Sequence, residues 1–151
     1  MRSGRDMQIK VMRDMTISAG STGRLRARLR DLLHDCVASA AAEQADRLAE
    51  ACELLACGHD AARIDVMLRA GAYESAALAV IGEGAGYMLS RGPSGSALAS
   101  VILPGSEDEA TAEASTPALA LIAAHVAAIL DDAETSAPRQ QLAAPASVRL
   151  H

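Results

Sequence analysis

The residues of this 151-residue chain best suited to chemistry are its three cysteines and four histidines. His34-x-Cys36 and Cys52-x4-Cys57-x-His59 offer the nitrogen and sulfur donors that zinc takes. Their spacing argues against a shared ion. An unbroken helix over residues 24–57 would hold Cys36 and Cys52 about 24 Å apart at 1.5 Å per residue. His34 and Cys36, two positions apart, point to different helix faces. The expectation is three unmetallated thiols and no metal site. Nucleophilic catalysis needs a base beside a nucleophile and a third group to orient the base. His125 lies inside an apolar run and His151 ends the chain, while Ser90, Ser94, Ser96 and Ser100 belong to no nucleophile elbow. Glu107-Asp108-Glu109 lacks the Asp/Asn/Gly spacing of a calcium loop. No catalytic residue is assigned.

Residues 77–89, ALAVIGEGAGYML, bring an apolar run into a glycine cluster. A dinucleotide turn needs a strand, then G-x-G-x-x-G, then a helix whose first N–H groups face the pyrophosphate. Gly82, Gly84 and Gly86 give G-x-G-x-G, and Tyr87 stands at the third glycine of the fingerprint. The Gly92-Pro93 break follows too soon for a crossover helix. Glu107, about 20 residues on, does match the position of a ribose-binding acid. The cluster is expected to be a flexible helix-to-strand connection, with no cofactor. A small nucleotide-binding enzyme is the second alternative, resting on these glycines alone.

Charge is unevenly spread. The net charge is −5, yet residues 1–30 carry +6 and the remainder −11. A basic head on an acidic body hints at a nucleic-acid, membrane-surface or acidic-partner contact, or at pairing of the head with its own body. Arg24, Arg26, Arg28 and Arg30 concentrate this charge and are the candidate partner-binding residues. On a helix Arg24 and Arg28 share a face with Asp31, and Arg26 and Arg30 share another beside His34. Leu25, Leu29 and Leu32 form the stripe between them. Such a stretch could contact phosphates, but no aromatic stands near to stack bases.

Half of the chain is hydrophobic, but 34 residues are alanine and Phe and Trp are absent. Alanine buries little area, so helices must approach closely or a partner must supply surface; a second copy would serve. An odd cysteine count without framework spacing fits a reducing cytosol, and no signal peptide is expected, because the first residues carry charges where an apolar stretch would stand. The longest apolar run, residues 117–130, is too short to span a bilayer. A cytoplasmic location is expected.

These residues sit on readable elements. A helix starts near Ser21 or Thr22 and extends as far as Cys57, with Gly58 as its stop. Its stripe runs Leu25, Leu29, Leu32, Cys36, then resumes about 140° away as Leu48, Cys52, Leu55. Either it breaks near residues 39–43 or its halves face different neighbours. A helical hairpin follows over residues 60–81, with Asp60 as cap and Gly71 as stop. Residues 87–91 and 97–103 flank GPSGS as a β-hairpin. PGSEDEATAEAS reads as an acidic loop. Thr116 caps a last helix with Pro117 in its first turn, striped by Leu119, Ile122, Val126 and Ile129. Since a two-stranded hairpin is marginal alone, it must lean on that helix or add strands from residues 7–12 or from a second copy.

Two stretches carry a resemblance. TAEASTPALALIAAHVAAIL, with its T-P-x-x-A-L start after a hairpin, resembles the closing helix of small bacterial and prophage-borne proteins of the phage ABA-sandwich type. ARIDVMLRAGAYESAALAVI resembles a helical pair of alphaproteobacterial proteins. The resemblance implies a hairpin-plus-helix unit and a bacterial or prophage origin, and brings no activity or site residues with it. The fold class is α+β, mainly α: a long or broken N-terminal helix and helical hairpin, then a β-hairpin backed by a C-terminal helix. Residues 1–23 are expected to be a flexible basic segment, 24–132 one domain and 133–151 a disordered tail. The expected function is a non-enzymatic binding or structural protein, with helix-mediated self-association or an acidic protein partner. The first alternative is a nucleic-acid-associated accessory protein using the Arg24, Arg26, Arg28 and Arg30 helix.

Overall fold

The apolar run after Pro117 becomes the centre of the molecule. The computed structural model describes residues 4–55 and 57–142, with side chains over 20–55 and 57–136. Helix α5 (Pro117–Leu142) starts where expected: the Thr116 Oγ1 accepts from the Leu119 N–H at 3.2 Å. Its apolar stripe is wider than the sequence period suggests. All nine residues from Ala118 to Val126 are buried, so no side of this stretch faces water. A helix apolar all round belongs inside, and α5 is packed by α1 (Gly4–Ala38), α2 (Gln44–Leu54), α4 (Tyr73–Ile81) and two strands.

The sheet is antiparallel in the order β1 (Gly86–Arg91), β2 (Ala97–Ile102), β3 (Glu109–Ala114). The hairpin closes through GPSGS as the spacing predicts, with the Gly92 N–H donating to the Ser96 carbonyl at 2.8 Å. The third strand is a correction. Residues read as an acidic loop instead supply it, while residues 7–12, a candidate source, are helical. In β3, Ala110, Ala112 and Ala114 face α5, and Glu109, Thr111 and Glu113 face away. The inner alternation is made of alanine, which lets α5 lie close to the sheet.

Residues 24–57 form two helices, not one. Alanine favours helix, yet the chain breaks at residues 39–40 and turns through a short 3-10 segment, Ala41–Glu43. Side chains capture the backbone there. The Ala40 N–H donates to the Glu43 carboxylate at 2.8 Å, and the Ser115 hydroxyl donates to the Ser39 carbonyl at 2.8 Å. Arg47 reaches back to the Ser39 hydroxyl at 3.1 Å and is held by Glu50 at 3.2 Å and Asp35 at 3.6 Å. The break lets the Leu29–Leu32–Cys36 row and the Leu48–Ala51 row both reach the core.

Helices α3 (Ala61–Arg69) and α4 form the expected hairpin, with Ile64 fully buried and Met67 and Leu68 packed on the core. Asp60 precedes α3 without making a side-chain cap. Two boundaries move. Helix α1 begins at Gly4, so the segment read as flexible is helical over residues 4–23, and Ser21 and Thr22 lie within it. Helix α5 continues to Leu142 through the first half of the stretch read as a disordered tail; residues 143–151 lie outside the described residues. Among the described residues no helix is long and apolar enough to cross a membrane.

A central helix lined with alanine leaves no room for larger side chains. Ala123 is fully buried. Ala123→Leu is expected to destabilise the fold by about 1–3 kcal/mol, the usual range for overpacking. Urea unfolding monitored by circular dichroism reads this directly; an unchanged midpoint would mean that the α5 contacts are loose.

Candidate functional site

The four arginines picked out by sequence lie on α1, but they do not act as one patch. Arg26 turns toward α5 and donates to the Ala133 carbonyl at 3.1 Å. Arg30, one turn on, pairs with Glu134 at 3.0 Å. Both therefore engage the acidic stretch at residues 131–134 in the middle of α5. The Arg30 pair is well exposed and contributes little to stability, so its effect is orientation. Arg24 and Arg28 lie exposed on another face of α1 and make no ion pair with the described residues. Between the two rows Leu29 and Leu32 are buried, whereas Leu25 is 42% exposed.

The glycine cluster joins α4 to β1, the reverse of the strand-to-helix order that a dinucleotide turn requires. Gly82 and Gly84 have φ of 81° and 94°, values that side-chain-bearing residues rarely adopt. They turn the chain out of the helix and into the sheet. A Cβ on Gly84 would meet the Pro104 ring at an ordinary 3.5 Å, so backbone conformation rather than space selects glycine here.

The thiols separate into two environments. Cys36 is fully buried between α1 and its neighbours, and burial pushes its pKa up to about 12. Cys52 and Cys57 line an open, largely apolar cleft of about 420 Å³ between α2 and α3. The Cys57 N–H donates to the Cys52 carbonyl at 3.1 Å. Burial, followed by a hydrogen bond with Cys52, raises the Cys57 thiol to about 12. Such thiols are poor nucleophiles at neutral pH. His34 and His59 are exposed, and His59 lies 3.4 Å from Asp60. Among the described residues no three Cys, His, Asp or Glu side chains gather around one point.

One surface stands out that sequence reasoning did not assign. All six residues of β1 are exposed. Facing residues in an antiparallel pair share a side of the sheet, so Tyr87, Leu89 and Arg91 lie on the same side as the buried Val101, Ala99 and Ala97 of β2. Helix α5 covers that side over β2 and β3, and β1 projects beyond it. Tyr87 is 54% and Leu89 38% exposed there; on the opposite side Met88 is 64% exposed, near Leu98 and Ile102 of β2. The outer edge of β1 pairs with no strand among the described residues. Only part of the signal was present in the sequence: Tyr87-Met88-Leu89 puts consecutive apolar residues on both faces of a strand, a pattern that reads as burial on both sides rather than exposure.

His125 is buried within α5, and its Nδ1 has no hydrogen-bond partner among the described residues. Burial lowers its pKa from the ordinary value near 6.5. The unfolded chain therefore binds this proton more readily than the folded chain. Stability from neutral His125 is intact above the unfolded value and falls as pH drops through 6.5 toward the lowered one. Unfolding midpoints measured from pH 7.5 to 5 should decline, and His125→Leu should flatten that slope; equal slopes would mean that His125 charges freely. No protein family, curated protein or solved structure matches this chain.

Proposed function

We propose that this chain is a non-enzymatic binding or structural protein that works by association, and that β1 is the surface it uses. The observation that supports this is the distribution of large apolar side chains. The inner face of β3 is alanine alone and α5 mixes alanine with Leu119, Leu121, Ile122 and Val126 in the core, while Tyr87, Met88 and Leu89 are exposed on an edge strand. Tyr87 is one of two aromatic residues in the whole sequence. Natural edge strands are usually blunted by lysine, proline, a bulge or a covering element. Strand β1, GYMLSR, has no lysine or proline and pairs with β2 without a bulge. Association was expected on helices; the strand offers a stronger surface because its backbone N–H and C=O groups add to the apolar contact.

Hydrogen exchange on the chain as isolated from cells tests this. The outward-pointing amides of Tyr87, Leu89 and Arg91, which alternate with those bonded to β2, should exchange slowly in concentrated material and fast after extensive dilution. Fast exchange in both would remove β1 as an association surface.

The alternative, a nucleic-acid-associated protein, is supported by the exposed Arg24 and Arg28. With Arg26 and Arg30 engaged on α5, two phosphate contacts remain, too few for strong counterion release. No binding to duplex or single-stranded DNA or RNA is expected at about 150 mM salt. Fluorescence anisotropy measures it, and micromolar binding lost on changing Arg24 and Arg28 to Gln would favour the alternative.

A further inference from the structure

Both edges of the three-stranded sheet are formally open, but they differ in what they would accept. On β3, Glu109 and Glu113 flank Thr111 on one face. Pairing β3 with its own copy about Thr111 would set Glu109 directly against Glu113 of the other chain. Like charges facing across strands are destabilising. Pairing β3 of one copy with β1 of the next would place those glutamates against Met88 and Ser90, and would leave an open-ended polymer.

Strand β1 carries no such conflict. A twofold axis normal to the sheet keeps faces matched and must pass through a single β1 residue. Centred on Leu89, it sets Leu89 against Leu89 of the second copy and Met88 against Ser90. Arg91 then faces Tyr87, twice, so each guanidinium meets an aromatic ring rather than another cation. Centred on Met88, the axis would leave both Arg91 side chains outside the ladder. Building on the association reading above, we propose that the occupant of the β1 edge is β1 of a second copy, antiparallel and centred on Leu89. The product is one six-stranded sheet with both α5 helices on the same side. The five-residue ladder is about 17 Å long. That is narrow beside the roughly 800 Å² per partner of a standard interface, so the dimer is expected to dissociate in the micromolar range.

Sedimentation equilibrium of the full chain should show a mass rising from 15.6 kDa toward twice that value with concentration. Leu89→Lys, at an exposed position, should remain monomeric with unchanged circular dichroism. Under mild air oxidation Leu89→Cys should cross-link to itself. Met88→Cys would lie about 8 Å from its copy, beyond the roughly 7 Å a disulfide bridges, and should not cross-link; nor should Thr111→Cys on β3 or the unmodified chain. A monomer at every concentration, a dimer that survives Leu89→Lys, or cross-linking at position 88 instead of 89 each overturns the proposal. If the Tyr87, Leu89 and Arg91 amides are protected in cell-derived material but the pure chain is monomeric, the second copy is wrong while association through β1 stands. If they are never protected, both fail.

Discussion

The structure depends on one constraint: α5 is enclosed on every side over nine residues. Close approach to a helix in that position is helped where its own side chains are small, as at four alanines of the nine, and where those facing it on β3 are small as well. Ala118, Ala120, Ala123 and Ala124 of α5 share one core with Ala97, Ala99 and Ala114 of the sheet, and Ala112 packs against it. This explains how a chain without Phe or Trp closes a core at all. Area per residue is low, and close approach over many residues compensates through dispersion contacts. The same constraint makes polar intrusions costly. His125 sits in that enclosed stretch, which is why burial alone depresses its pKa.

The enclosure also fixes what stays outside. A helix with its side chains is about 10–12 Å across, and strands lie about 4.8 Å apart. One helix therefore covers two strands and little of a third. Helix α5 sits on β2 and β3, leaving the inner face of β1 uncovered. The exposed Tyr87 and Leu89 follow from helix width and strand spacing rather than from a local packing failure. Their size is the informative part. A strand with no partner has no use for large apolar residues on both faces, and the inner face of β3 is built of alanine alone.

Legibility in the sequence followed side-chain size and capping chemistry. The helix starting at Pro117, the hairpin about GPSGS and the helical pair around Gly71 each carried a stop, a turn or a cap with a physical signature. Strand β3 did not. Its inner residues are alanine, too small to register as an apolar alternation and a better helix former than strand former, and its outer residues are acidic, which reads as solvent. The start of α1 was hidden for a different reason: Ser21 and Thr22 read as its caps, while Gly20 and Gly23 beside them fit within the helix, with no side chain within 4 Å of where their Cβ atoms would stand. Glycine lowers helix propensity by about 1 kcal/mol without forbidding the conformation. At the candidate site, the strand's position was readable but its exposure was not, because exposure depends on where α5 ends laterally.

The two most conspicuous sequence features thus serve internal geometry. The glycine cluster turns α4 into β1, and half of the arginine row ties α1 to the acidic middle of α5 through Ala133 and Glu134. Both arrangements present β1 rather than compete with it. The turn at Gly82 and Gly84 delivers the strand to the sheet edge, and the α1–α5 ties hold the helical layer on the side away from that edge, since α1 packs on α5 and β3. Charge follows the same division. The acidic residues of the sheet lie on β3, and the single charge of β1 is Arg91 at its end. An edge that is apolar along its middle and cationic only at its end can meet its own copy in antiparallel fashion without opposing like charges, whereas the opposite edge carries two glutamates that face one another when it pairs about Thr111.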